Sequence, residues 1–139
     1  KMPEVVSINE LGFELKERVT TNSSGNLQDE RVVIVQVDAD FSNASNPIFL
    51  RYRVTGTFRY DEIAAPSNLN ATTCYVDEII DADDINAMKG RNVKGGILNE
   101  QPIVDKVIDW RFRLQYCFSV EQHSITEQVY NFWNTVQDE

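Results

Sequence analysis

The stretch IFLRYRVTGTFRYDEI, residues 48–63, constrains the fold more than any other part of the chain. Ile48, Leu50, Tyr52, Val54, Phe58 and Tyr60 fall on one side of a period-two pattern. Arg51, Arg53, Thr55, Thr57 and Arg59 fall on the other. Successive side chains of a β-strand point to opposite faces, whereas a helix would scatter these residues around its circumference. The segment therefore reads as a strand with one face in a core and the other toward solvent. Gly56 interrupts the apolar face, which marks a bulge or a close approach to the backbone.

The same period recurs elsewhere. In VVSINELGFELKERV, Leu11, Phe13 and Leu15 alternate with Glu10, Glu14 and Lys16. RVVIVQVDADF is a nearly continuous β-branched run that suits a strand buried on both faces. TTNSSGNLQDE and SNASNP supply turn residues between these strands, and Pro47 holds Asn46 extended. A short strand is expected around residues 73–79. DADDINAMKG can form one or two helical turns, with Asp81 or Asp83 as N-cap and Gly90 as terminator. NVKGGILNEQP reads as a loop that turns at Gly95 and Gly96. A last strand is expected over residues 107–121. Trp110, Phe112, Leu114, Tyr116, Phe118 and Val120 would form its apolar face, with Arg111, Arg113, Gln115, Cys117 and Ser119 opposite. Turn-linked strands at this spacing predict a mainly β fold, an antiparallel sandwich-like domain.

Then the period changes. Ile125, Val129, Phe132, Trp133 and Val136 follow i, i+4, i+7, i+8, i+11, one stripe of a helix. Ser124 and Glu127 have the spacing of a capping box. The stripe predicts one C-terminal amphipathic helix packed on the sheet. Burying Val129, Phe132, Trp133 and Val136 would contribute roughly 6–12 kcal/mol as an upper bound. Asp138 and Glu139 place negative charge at the negative pole of the helix, and no Gly or Asn caps it. Residues 1–139 are therefore expected to be a single β-rich domain from a longer protein.

Composition narrows the partners. At 139 residues and 42% hydrophobic content the chain can bury the core of one domain. Its net charge is −9, with 13 basic residues scattered among 22 acidic ones. Nucleic acid and anionic lipid both call for clustered Lys and Arg, so neither is an expected partner. No run of about 20 apolar residues can span a bilayer. The opening KMPEVV has neither the apolar region nor the cleavage site of a signal peptide.

The residues that can carry chemistry are few. His123 is the only histidine, with Ser119, Glu121 and Ser124 near it in sequence, but a triad needs an oriented base beside an exposed nucleophile. Asp77, Glu78, Asp81, Asp83 and Asp84 cluster in VDEIIDADD, yet Ile85 breaks the spacing of a calcium loop. A solvated acidic loop is the preferred reading. No catalytic residue, metal or cofactor is expected, and the chain reads as a non-enzyme. Trp110 and Trp133 lie on apolar stripes, where core packing is favoured over a sugar platform. Arg51, Arg53 and Arg59 alternate on one strand and Arg111 and Arg113 on another. If those strands are neighbours they make a cationic docking face, unless acidic residues pair across it. Cys74 and Cys117 can form a disulfide worth roughly 4 kcal/mol, or remain two thiols. Asn22, Asn43 and Asn70 head glycosylation sequons, meaningful only in a eukaryotic secreted protein.

NPIFLRYRVTGTFRY, the pair CY at Cys74 and Tyr75, and RLQYCFSVEQHSITEQVYNFW occur in this order. The set resembles the domain-of-unknown-function family 4249, bacterial lipoproteins of the Bacteroidota encoded beside TonB-dependent transporters. The resemblance covers residues 6–136 and corresponds to the second, β-rich part of those proteins. Tyr75 stands where tryptophan is usual and Cys117 where serine is common. The resemblance implies a fragment lacking an N-terminal immunoglobulin-like part and the C-terminal end. It also implies attachment to the outer membrane by an N-terminal lipid, exposure at the cell surface, and an accessory role. Expected partners are an outer-membrane β-barrel transporter or other surface lipoproteins. A carbohydrate-binding or adhesion module that works alone is the competing expectation.

Overall fold

The computed structural model describes residues 3–62, 72–80, 86–89 and 96–138. Among these the chain forms β1 (Ile8–Thr21), β2 (Leu27–Asp40), β3 (Phe49–Glu62), β4 (Thr72–Ile80), β5 (Asn86–Lys89), β6 (Ile97–Val107), β7 (Gln115–Ile125) and α1 (Glu127–Asp138). β1, β2 and β6 make one antiparallel sheet with β2 in the middle. In the second sheet β3 is central: β4 and β5 follow one another along one edge, and β7 pairs along the other. The fold is mainly β, two antiparallel sheets with a C-terminal helix against the second.

The alternation along β3 sets the core. Leu50, Tyr52, Val54 and Phe58 are buried, and the first three meet Val35, Val37, Ala39 and Leu98 of the first sheet. Gly56 makes no bulge, since its register with β4 and β7 is unbroken. It is a close approach, filled by the ring of Tyr116. β2 is buried on both faces at Val32 and Val33, as a β-branched run allows. The hairpin between β1 and β2 turns at Asn22, whose carboxamide accepts from the backbone of Ser24 and Asn26, and Gly25 takes φ +82°.

Four local expectations are corrected. Residues 97–102, read as part of a loop, belong to the strand β6; Pro102 fits because β6 is an edge strand among the described residues, with a register shift there. Residues 86–89 are the strand β5, not a helical turn, while Asp81, Asp83 and Gly90 lie outside the described residues. The last strand begins at Gln115, because Trp110–Phe112 form a 3-10 turn capped by Asp109. The capping residue of α1 is Thr126, whose hydroxyl accepts from Val129 N (3.2 Å). Ser124 still belongs to β7, and its hydroxyl is buried with no hydrogen-bond partner among the described residues.

The helix also sits differently from its apolar stripe. Tyr130 packs on Phe49 (ring centroids 5.1 Å apart), and Trp133 covers the Arg51 guanidinium at 4.7 Å. Val129, Phe132 and Val136 remain 39%, 59% and 39% exposed. The stripe is thus only partly covered, and the burial expected for it is not reached.

Candidate functional site

The face of β3 turned away from the core carries Arg51, Arg53, Thr55, Thr57 and Arg59. Opposite them in register on β7 stand His123, Glu121, Ser119, Cys117 and Gln115. On the β4 side stand Ile79, Asp77 and Tyr75, and Thr57 donates to Asp77 (2.6 Å). Arg53 is exposed, Arg51 is roofed by Trp133, and Arg59 lies 3.6 Å from Asp61. The surface is mixed in charge rather than a cationic ladder.

Arg111 and Arg113 do not join it. Both belong to the 3-10 turn and its end, not to β7. Arg111 bonds Asp109 (2.8 Å) and reaches Glu78 (3.5 Å) on the core side of β4, while Arg113 is exposed. A period-two pattern ran by chance across a helical turn, so two arginines assigned to one strand face lie elsewhere.

That turn builds the most distinctive corner of the molecule. Asp109 accepts from Arg111 N (3.0 Å), which fixes the turn and throws the Trp110 ring outward. Trp110 is 64% exposed, so it is not the core residue its stripe suggested. It meets Phe58 in a T-shaped contact at 5.4 Å, and the Arg111 guanidinium lies 5.4 Å from the ring centroid. Trp110, Leu114, Arg113, Arg59, Tyr60 and Asp61 line an open cleft of ≈ 540 Å³. A flat apolar ring among two guanidinium groups, a phenol and a carboxylate can stack on a planar or sugar-like ring and hydrogen-bond its edge.

The corner rests on a network between the sheets. Lys106 of β6 reaches Glu78 of β4 (2.9 Å), which also accepts from the Tyr116 hydroxyl of β7. Burial pushes the Glu78 carboxyl up, but the hydrogen bonds from Tyr116 and Lys106 and two positive charges outweigh it. They hold the group below its ordinary value. Burial first, and the Glu78 carboxylate second, push the Tyr116 phenol well above its own. Phe112 stacks on Tyr116 at 4.2 Å, completing a rigid base. Lys106 was missed because it falls between the loop read over 92–102 and the strand expected from 107, and Glu78 was read only as one of a cluster of solvated acids. The Asp-x-Arg start of the turn was the readable signal.

The other sequence candidates are separated by the pleat. His123 faces the outer side and contacts Glu121 (3.0 Å), whereas Ser124 is turned to the opposite face and Ser119 is four residues along. No triad is assembled. Asp77 and Glu78 lie on opposite faces of β4, and Asp81, Asp83 and Asp84 lie outside the described residues. Among the described residues no group of three His, Cys, Asp or Glu side chains can hold a metal ion. Cys74 and Cys117 are free thiols. They sit on the two strands flanking β3, and their β3 partners, Tyr60 and Thr57, point to opposite faces. A disulfide needs Cβ atoms about 3.5–4.5 Å apart, and this arrangement does not bring them together.

Among the described residues no helix is long and apolar enough to cross a membrane, which says nothing of strands. Comparison with protein-family models, with curated proteins and with solved structures finds no match.

Proposed function

We propose that the chain is a non-catalytic binding component of a surface complex at the bacterial outer membrane, of the kind that accompanies a TonB-dependent transporter. The observation that carries the binding role is the Trp110 corner. An exposed tryptophan held on a rigid base, flanked by arginine and tyrosine, has the composition of an interface hot spot. The ordered resemblance of the β3, Cys74–Tyr75 and β7–α1 segments to the domain-of-unknown-function family 4249 supports the location and the transporter as partner. The protein acts by holding another surface and has no chemistry of its own.

The test is purification from the native membrane in mild detergent. The protein is expected to co-purify with a large β-barrel, and Trp110→Ala to weaken that association. Recovery free of any barrel would remove the proposal.

One observation favours a second reading, a carbohydrate-binding module. The Trp110 ring is open to solvent and Asp61, Arg59 and Arg113 share its cleft. A screen against immobilised glycans separates the two: binding lost in Trp110→Ala supports the lectin-like role, and no binding to any glycan dismisses it.

A further inference from the structure

Among the described residues β1 is an edge strand, paired with β2 alone. Leu11, Phe13 and Leu15 pair in register with Val37, Val35 and Val33, so they stand on the same face of the sheet as the buried side of β2. The valines are buried, but Leu11, Phe13 and Leu15 are 45%, 68% and 55% exposed, because β1 lies beyond the cover of the second sheet. A long edge whose inward face carries three large apolar residues and no charge between them is a template for another strand. The usual protection, a charge pointing inward, is missing from residues 11–15.

The sequence of β1 specifies which strand fits. A second copy approaching antiparallel about a two-fold axis normal to the sheet must pair residues of the same parity, since one face of the joined sheet is common to both. With the axis at Phe13, Leu11 meets the partner's Leu15, Phe13 meets the partner's Phe13, and Leu15 meets the partner's Leu11. On the opposite face Glu10 meets the partner's Lys16, twice by symmetry, and Gly12 leaves open space beside Glu14. Neighbouring registers are worse. An axis at Glu14 sets that carboxylate against itself, one at Gly12 sets Glu10 against Glu14, and one at Leu15 sets Glu14 against Lys16 but Phe13 against Glu17, which breaks the apolar face. Cross-strand apolar and opposite-charge pairs favour a register, and like charges reject one.

The geometry points to a homodimer: two copies join through β1, antiparallel with Phe13 on the two-fold axis, into one continuous six-stranded sheet. The net charge of −9 on each copy opposes the approach only weakly at physiological salt, because charges more than about 8 Å apart are screened. The isologous contact closes on itself and leaves no free β1 edge to propagate a fibre.

The experiment is sedimentation equilibrium of the 139-residue chain, and it is independent of any transporter or glycan. Wild type is expected to show twice the 15.9 kDa mass at micromolar concentration. Phe13→Glu is expected to be monomeric with an unchanged far-ultraviolet circular dichroism spectrum, the side chain being mostly exposed. Lys16→Glu turns both ion pairs repulsive and should raise the dissociation constant roughly tenfold. The double exchange Glu10→Lys with Lys16→Glu restores both pairs and should return the dissociation constant to near wild type. A wild-type chain monomeric throughout overturns the proposal and leaves β1 to a different protein. A Phe13→Glu dimer, or a double exchange that fails to restore, overturns it equally.

Discussion

Gly56 is glycine because Tyr116 occupies the space of its side chain: a Cβ there would lie 2.6 Å from Cζ and 2.8 Å from Cε1 of the ring. The ring cannot step aside, since Phe112 stacks on it and its hydroxyl donates a hydrogen bond to Glu78. Gly56→Ala is therefore expected to destabilise the fold by about 1–3 kcal/mol, an overpacking cost. Adding Tyr116→Leu should make the combined loss smaller than the sum of the two single losses, measured by urea unfolding.

The folded Glu78 carboxyl is held below its ordinary value, so its contribution is complete above the unfolded value of about 4.3 and is lost as pH falls through the folded one. Glu78→Gln should cost about 1–3 kcal/mol at pH 7 by leaving Lys106 and Arg111 without the charge. That deficit should shrink toward zero as both proteins are unfolded at successively lower pH below 4. A deficit constant with pH would mean the network is not ionic.

Two hydroxyls near the start of α1 have opposite fates. Thr126→Ala removes the cap on Val129 N and should cost about 0.5–2 kcal/mol. Ser124→Ala removes a buried hydroxyl that has no partner among the described residues and should be neutral or stabilising, read from paired thermal melts.

Much of the fold was legible in the residues because β3, β1 and β2 repeat with period two over long stretches. β6 was not, because Pro102 and two register shifts break its alternation, and the strand stays in place through its pairing with β2. The 3-10 turn hid in the opposite way: Trp110, Phe112 and Leu114 continue the alternation of β7, and only Asp109 signals the turn. The helix stripe was seen, but not the rotation that leaves Phe132 outside, since the flank seated by Phe49 and Arg51 is a matter of tertiary packing. The Trp110 corner was the hardest to read. An exposed and a buried tryptophan look the same in a pattern.

Trp110 stands on Phe58 yet is mostly exposed, so its two roles can be separated. Trp110→Ala should cost about 1 kcal/mol of stability, the worth of one aromatic contact. Loss of binding to its partner should be roughly thirtyfold or more, as hot-spot truncations are.

The thiols give a chemical check on the second sheet. Mild oxidation of the monomeric Phe13→Glu variant should leave both free, and an alkylating reagent should modify the exposed Cys117 before the half-buried Cys74. A Cys74–Cys117 bridge in the native protein would contradict their placement across β3.

β3 binds three partners that arrive at very different times along the chain. β1 and β2 can close early, as a hairpin with a five-residue turn. The pairing of β3 with β7 must wait until β4, β5 and β6 have been threaded between them. Loop closure over such distances is slow, and contact order, not strand strength, sets the pace. The central strand of the second sheet therefore spends the longest interval with an open edge. Folding of this chain is a race between β7 arriving from the same molecule and a strand arriving from another.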